Sequence, residues 1–123
     1  MIEWLTGTSG GDSGAKTLNG TNLADQIFGL AGNDTLIGFD GDDLLEGGAG
    51  ADQLFGSPGF DTASYQSSPT GVGVSLRDFA AEYGHAEGDQ LFSIEGLRGS
   101  AFADTLQGND QRNVFHGGGG ADY

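Results

Sequence analysis

An aspartate recurs every nine residues through the first half of the chain, and this spacing constrains the fold more than any other feature. The aspartates in register are Asp25, Asp34, Asp43, Asp52 and Asp61. A short fixed period is typical of solenoids, in which a repeat cannot bury its apolar face alone and stacks on its neighbours. The chain has 123 residues, which suffices for one solenoid domain with a modest core.

Glycines keep the same period in two columns. The first column lies five residues before each aspartate and contains Gly20, Gly29, Gly38, Gly47 and Gly56. The second column lies two residues before it and contains Gly32, Gly41, Gly50 and Gly59. Leu23 interrupts the second column in the first unit. Because glycine adopts positive φ without steric cost, regular columns predict ordered turns rather than a flexible linker.

An apolar residue follows two positions after each aspartate, so that the unit reads G-x-x-G-x-D-x-U-x. These residues are Ile27, Leu36, Leu45, Leu54 and Ala63. Side chains alternate across a strand. One inward residue per repeat therefore predicts a very short strand, whose flanking residues face outward, joined to the next strand by a glycine-rich turn.

The regular period divides the chain into four parts of one module, 1–123. We expect a degenerate first coil at 7–19, regular repeats at 20–63, irregular inserted coils with a loop at 64–98, and resumed repeats at 99–123. Four extra residues separate the first coil from the next unit. These parts predict one continuous stack rather than two domains.

The inserted part contains its own apolar positions. These are Val72, Val74 and Leu76, which alternate with small or polar residues, and then Leu91, Ile94 and Leu97. The alternation predicts a strand, and the later residues predict further contacts with the core. Between them, we expect 77–88 to be an exposed loop with a helical turn at 79–83.

The charge balance limits the partners of the chain. The chain has eighteen acidic and four basic residues, which gives a formal net charge of -14. The basic residues are scattered, which excludes the basic stripe that nucleic acid or an anionic membrane would require. No cysteine is present, so bound cations would have oxygen ligands. No stretch approaches the about 20 apolar residues of a membrane span, so we expect no membrane insertion.

The repeats GLAGNDTLI, GFDGDDLLE and GGAGADQLF resemble the repeats-in-toxin (RTX, hemolysin-type) nonapeptide. The resemblance implies an all-β fold: a right-handed parallel β-roll, in which two nonapeptides form one coil and residues eighteen apart stack. It also implies Ca²⁺ ions between stacked turns. Segment 61–104 is similar to interruptions in secreted members of that family, so we expect this chain to be a fragment of a larger secreted protein.

The resemblance implies which residues bind calcium: carbonyls of the stacked turns together with their aspartates. On this basis 20–25 should stack on 38–43 and 56–61, 29–34 on 47–52, and 99–104 on 117–122. The candidate carboxylates are Asp25, Asp34, Asp43, Asp52, Asp61, Asp104 and Asp122, and the candidate turn glycines are both columns together with Gly99 and Gly117.

Other positions are weaker candidates. Asn22, Asp40 and Asp110 occupy the third position of the unit, where the family often adds a ligand. Asp12 and Asp89 have the spacing of ligands, but the sequence leaves their role open. Asn113 and Leu23 replace an aspartate and a glycine and should weaken their turns. Stacked pairs imply about three to six ions, each cancelling two negative charges.

The expected function is that of a calcium-binding module that folds on binding Ca²⁺. The predicted apolar column is too thin to offset chain entropy alone, so we expect disorder without calcium. The family implies type I secretion and an extracellular location, where calcium is abundant. Met1 to Leu5 lacks the basic and apolar regions of a cleaved signal, so secretion would use another route.

Three alternatives involve other functions. Catalysis has little support, because His85 and His116 are the only histidines and no H-E-x-x-H motif occurs, so we predict a module that is not an enzyme. Polysaccharide binding, as in modules beside alginate-modifying enzymes, remains the main rival. Ice binding would need a uniform outward column, and the seventh position is mixed. Ile37 and Phe55 could dock another domain, and open roll ends could self-associate.

Overall fold

The computed structural model describes residues 2–6, 17–30, 32–76, 80–108 and 113–116. Four predicted site residues fall outside these ranges, as does most of the expected first coil. They are Asp12, Asp110, Gly117 and Asp122.

Thirteen short strands and one 3-10 turn make up the regular structure of the described residues. Most of the strands contain three residues, which agrees with one inward side chain per repeat. The strands are β1 Ile2–Thr6, β2 Thr17–Asn19, β3 Ala24–Phe28, β4 Thr35–Ile37, β5 Leu44–Glu46, β6 Gln53–Phe55, β7 Thr62–Ser64, β8 Gly73–Ser75, β9 Ala80–Glu82, β10 Gln90–Phe92, β11 Gly96–Arg98, β12 Thr105–Gln107 and β13 Val114–His116, with the 3-10 turn at Gly84–Ala86.

Alternate strands join two different parallel sheets. One sheet has the order β1-β3-β5-β7-β11-β13, and the other has the order β10-β6-β4-β2. In the regular repeats, Ile27 pairs with Leu45 and Leu36 pairs with Leu54, so the predicted stacking of residues eighteen apart is confirmed. β1 pairs with β3 at a longer offset, which accommodates the extra residues before Gly20. The chain thus coils once every two repeats.

The apolar column fills the space between these sheets. Ile27, Leu45 and Ala63 on one sheet and Leu36 and Leu54 on the other are fully buried, as the repeat predicted. Most of their strand neighbours are less buried, in keeping with side chains that alternate across a strand, and Ser64 beside Ala63 is the exception. The insertion extends the column, because Leu97 pairs with Ala63 and Leu91 pairs with Leu54.

The insertion departs from the repeat after Tyr65. β8 pairs in parallel with β12 and antiparallel with β9. The expected helical turn at 79–83 was wrong: Ala80–Glu82 is a strand, and the 3-10 turn follows it at Gly84–Ala86. The apolar anchors predicted for this segment are confirmed as buried; they are Val72, Val74, Leu76, Leu91, Ile94 and Leu97.

The resumed repeat at 99–104 meets the insertion. β12 pairs with β8 rather than with β10, and the N–H of Val72 donates to Oδ1 of Asp104 at 2.9 Å. The turn therefore stacks on the inserted strand, while its expected partner at 117–122 lies outside the described residues. Nowhere in the described part of the chain is a helix long and apolar enough to cross a membrane.

Candidate metal centres

The aspartates form a hydrogen-bonded ladder along each edge of the coil. The backbone N–H of Asp25 donates to Oδ1 of Asp43 at 2.8 Å, and the N–H of Asp43 donates to Oδ1 of Asp61 at 2.9 Å. On the other edge the N–H of Asp34 donates to Oδ1 of Asp52 at 2.8 Å. The regular turns therefore stack as the family resemblance implied, with one carboxylate per layer.

Both ladders continue into the insertion, where the period is lost. The N–H of Asp52 donates to Oδ1 of Asp89 at 2.7 Å, across 37 residues. The N–H of Asp61 donates to Oε1 of Glu95 at 2.8 Å, across 34 residues. Sequence reasoning left the role of Asp89 open. It predicted that Glu95 lies on the solvated surface, which was wrong, because Glu95 is half-buried and accepts the Asp61 N–H. Only the path of the insertion brings Glu95 into the ladder.

The second carboxylate oxygen of the ladder faces inward. Oδ2 of Asp43 and Oδ2 of Asp61 are buried and accept no hydrogen bond from the described residues. The two side chains are 3% and 0% exposed. A Cβ atom added to Gly56 would lie 2.6 Å from Oδ2 of Asp61, and one added to Gly38 would contact Oδ2 of Asp43. Each inward oxygen thus lies beside a first-column glycine.

A backbone carbonyl of the next coil faces the same space. A Cβ atom on Gly20 would lie 2.6 Å from the carbonyl oxygen of Gly38, and one on Gly38 would lie 3.0 Å from that of Gly56. On the other edge, a Cβ atom on Gly29 would lie 2.7 Å from the Gly47 carbonyl oxygen. We call this arrangement a cradle: a first-column glycine, Oδ2 of its aspartate, and the facing carbonyl of the next coil.

The two glycine columns serve different purposes. Positive φ belongs to the second column, where Gly32, Gly41, Gly50 and Gly59 have φ between 100° and 118°. The first column is glycine because a side chain would fill the cradle. Leu23 has no positive φ, whereas Leu30 and Phe39, which follow first-column glycines, do, at 73° and 65°. The prediction of glycine-dependent turns therefore holds for one column only.

Within the described part of the chain, no positive charge acts on the buried carboxylates of Asp43 and Asp61. Burial raises the pKa of Asp43 to about 6, and this net value includes a lowering by the hydrogen bond from the Asp25 N–H and a raising by repulsion from the Asp25 carboxylate. Burial raises the pKa of Asp61 to about 8, with added repulsion from Asp43 and Glu95. Ionised, such groups are costly unless a cation lies between them. Carboxylate and carbonyl oxygens are the hard ligands that Ca²⁺ prefers, so the cradles fit this ion.

The cradles differ from a site made of clustered side chains. Among the described residues, no three His, Cys, Asp or Glu side chains converge on one point. A cation between the coils would therefore be held by one carboxylate from each layer and by several backbone carbonyls. Calcium accepts this mixture, because it tolerates irregular geometry and takes six to eight oxygen ligands.

The carboxylates outside the central turns accept hydrogen bonds from residues of their own turns. The N–H of Thr21 donates to Oδ2 of Asp25 at 2.6 Å, and the Thr21 hydroxyl donates to Oδ1 at 3.0 Å. Likewise, the N–H of Ser100 donates to Oδ2 of Asp104 at 2.8 Å. Asn113 places its Oδ1 against Gly108, and its amide donates to the Glu95 carbonyl at 2.9 Å. These turns therefore differ from the cradles of Asp43 and Asp61.

Asp89 also differs from the regular positions. The hydroxyl of Tyr65, a fully buried residue, donates to Oδ2 of Asp89 at 3.0 Å. The inward oxygen of this carboxylate therefore has a protein hydrogen-bond donor. Burial raises the pKa of Asp89 to about 8 and that of Tyr65 well above its ordinary value.

Outside the cradles, the predicted third-position ligands Asn22 and Asp40 are exposed. The fifth position has a role that sequence reasoning missed. Oδ1 of Asn33 accepts the N–H of Ala51 at 2.9 Å, and Oδ1 of Asp42 accepts the N–H of Phe60 at 2.8 Å. The signal for this second ladder was an Asn or Asp directly before the repeated aspartate.

Stacked parallel strands, a thin apolar column and acidic cradles at both edges define a parallel β-roll of the metal-binding class. The model of the RTX calcium-binding nonapeptide repeat matches the chain in four copies, over residues 19–54, 40–63 and 97–123. These ranges cover more than half of the chain, which therefore belongs to this family and is a calcium-binding module. No curated protein matches it.

Proposed function

We propose that the chain folds when Ca²⁺ enters the cradles, and that this folding serves a secreted protein outside the cell. The observation that carries the proposal is the pair of buried inward oxygens, Oδ2 of Asp43 and Oδ2 of Asp61, which accept no hydrogen bond within the described residues. Calcium would supply the positive charge that these carboxylates lack. Without it, their mutual repulsion opposes the coil.

The proposed ligands are the ladder aspartates and the facing carbonyls of the first-column glycines. Asp25, Asp34, Asp43, Asp52 and Asp61 supply carboxylates, and the about three to six ions inferred from stacked pairs would lie between successive coils. The protein contributes the backbone turns and a dry apolar column, which position these oxygens once the coil has closed. Binding energy is then also folding energy.

Circular dichroism during a calcium titration tests this proposal. We expect little strand signal in chelator, a cooperative gain of signal with calcium, and no comparable gain with magnesium, which demands a tighter octahedral geometry. Calorimetry would give the number of ions. A spectrum that stays the same in chelator and in calcium would contradict calcium-driven folding.

The proposed extracellular role also predicts how tightly the chain binds calcium. A module that stays unfolded in the cytosol and folds outside should have a midpoint at about 10⁻⁴–10⁻³ M calcium, the range of extracellular modules. Type I secretion in an extended state would follow from the same midpoint. A midpoint below about 10⁻⁶ M, typical of tight intracellular sites, would contradict this role while leaving calcium binding intact.

A non-catalytic role and a possible affinity for polysaccharide stay predictions. His85 is half-buried, and burial lowers the pKa of its imidazole. Arg98 is the one basic residue whose side chain lies within the described ranges, and its Nη1 donates to Oε1 of Gln66 at 3.2 Å. Titration with alginate at saturating calcium would test the polysaccharide alternative.

A further inference from the structure

The insertion returns to the regular edge of the coil at Phe92 and Ser93. The N–H of Gly56 donates to the carbonyl of Phe92 at 2.9 Å, in the same way that the N–H of Gly38 donates to the carbonyl of Phe55 at 2.8 Å. In the regular coils, the residue after this acceptor is a first-column glycine. Ser93 therefore takes the place of such a glycine in the register, although its φ of 56° is positive, unlike that of the first-column glycines.

Ser93 also presents its carbonyl as a first-column glycine does. A Cβ atom on Gly56 would contact the Ser93 carbonyl oxygen and would lie 2.6 Å from Oδ2 of Asp61. This arrangement repeats the cradle in which Oδ2 of Asp43 and the carbonyl of Gly56 face Gly38. Asp61 is fully buried, and its Oδ2 accepts no hydrogen bond from the described residues. An inward oxygen is therefore aimed at this space.

Glu95 takes the place of the next aspartate. Its Oε1 accepts the N–H of Asp61, and its own N–H and that of Gly96 donate to the Asp61 carbonyl at 2.9 and 2.8 Å. Only Ile94 separates Ser93 from Glu95, whereas four residues separate glycine from aspartate in a regular unit. The longer glutamate side chain compensates for this shorter turn and reaches the ladder.

We propose that Oδ2 of Asp61, the carbonyl of Ser93 and the carboxylate of Glu95 form a calcium site. The insertion thereby adds one site to the regular row, which is the series of cradles along this edge of the coil. This inference rests on the proposed function, since it assumes that calcium occupies the regular cradles. The nonapeptide pattern does not mark the site, because the family match stops at residue 63 and resumes at 97.

Electrostatics support the site. Burial raises the pKa of Glu95, and repulsion between Glu95 and Asp61 contributes to the raised pKa of Asp61. On the other edge, the carboxylate that the insertion adds to the ladder is Asp89. Its inward oxygen already accepts a hydrogen bond from the Tyr65 hydroxyl. The row of ions therefore extends into the insertion at the Glu95 edge.

The test is an ion count by native mass spectrometry at saturating calcium, with circular dichroism to verify folding. Glu95→Gln retains the oxygen that accepts the Asp61 N–H and removes the charge. We expect it to bind one ion fewer than the parent chain. Glu87→Gln, an exposed glutamate near the 3-10 turn, is the matched control and should bind the full number.

Two further variants separate the possible outcomes. Asp43→Asn should lose ions from the regular row. A full count for Glu95→Gln beside a reduced count for Asp43→Asn would overturn the added site and leave the proposed function standing. Full counts for both variants would overturn both. If Glu95→Gln does not fold, the ion count of Glu95→Asp decides instead, because this variant retains the charge but is one methylene shorter. One ion fewer than in the parent chain supports the site, and a full count overturns it.

Discussion

Replacing Asp43 by asparagine tests two effects of its negative charge. The charge attracts calcium when the ion is present, and it repels the neighbouring buried carboxylates when calcium is absent. Asparagine has the same shape and keeps Oδ1, which accepts the N–H of Asp25 at 2.8 Å. It replaces the inward Oδ2 by an NH₂ group, which is uncharged and cannot bind a cation. We therefore expect Asp43→Asn to stabilise the calcium-free fold and to weaken the calcium-loaded fold.

The calcium-free effect follows from the pKa of Asp43, which burial raises from 3.8 to about 6. A folded-state pKa above the unfolded value means that the folded chain holds the proton more tightly, so stability falls as pH rises between these values. Above pH 6 the full ionisation penalty is about 3 kcal/mol. Asp43→Asn should remove this penalty at pH 7.5 and change little below about pH 4.

The calcium-loaded effect has the opposite sign. Each ion that binds only the folded chain stabilises it by about 2.7 kcal/mol when calcium is present at about 100 times its dissociation constant. Asp43 borders the turns before and after it in the ladder. We therefore expect Asp43→Asn to lose one or two ions, which removes about 3–5 kcal/mol of binding energy. Because about 3 kcal/mol returns with the removed ionisation penalty, the net stability at saturating calcium should fall by up to about 2 kcal/mol.

Two titrations followed by circular dichroism measure these effects at pH 7.5. A stabilising osmolyte titrated in chelator brings the calcium-free equilibrium into range, and urea titrated in saturating calcium gives the loaded stability. Asp42→Asn is the matched control, because it removes a charge from the exposed side chain next to Asp43, whose repulsion is the smallest of the causes that raise the pKa of Asp43. If Asp43→Asn and Asp42→Asn behave alike in both titrations, the cradle argument is refuted.

Three other perturbations follow from the same geometry. Lowering the pH from 8 to 5 in chelator should raise the strand signal, because burial raises the pKa of Asp61 from 3.8 to about 8 in the calcium-free fold, so that protonation stabilises this fold relative to the unfolded chain. Tyr65→Phe removes the hydroxyl that donates to Asp89 and should lower stability in calcium by about 1–3 kcal/mol. Gly29→Ala places a Cβ atom 2.7 Å from Oδ2 of Asp34, so it should reduce the ion count measured by calorimetry.

The controls for these perturbations lie away from the cradles. Tyr83→Phe alters an exposed tyrosine, which is 64% accessible, and should leave thermal stability unchanged. Gly73→Ala adds a Cβ atom whose nearest neighbour is 3.5 Å away, so the ion count should stay the same. A strand signal in chelator that does not change between pH 8 and pH 5 would contradict the buried carboxylate argument.

The regular half of the fold was predictable from the sequence because every repeat has the same local environment. Nine-residue spacing placed Ile27, Leu36 and Leu45 in the core. The family resemblance supplied the two-repeat coil and the pairing of turns eighteen residues apart. A periodic chain that buries one face keeps equivalent contacts only when the offset between paired strands is a multiple of the period, so period and register are linked.

Within the regular turns, the sequence did not distinguish the purposes of the glycines. Positive φ and lack of space both select glycine, and a sequence pattern records only the result. The structure assigns positive φ to the second column and close approach to the first, as at Gly41 and Gly38. That distinction depends on atoms of the neighbouring coil, which local sequence does not specify.

The path of the inserted segment and its contacts with the ladders were decided by tertiary structure. Nothing in the local sequence marks Glu95 as the partner of Asp61, or Tyr65 as the donor to Asp89. These contacts span 34 and 24 residues without a period, and they exist because β10 and β11 pair with β6 and β7. The sequence by itself determined the repeated coil and its acidic edges, whereas the path of the non-repeating segment, which has no register of its own, was fixed by the strands on which it packs.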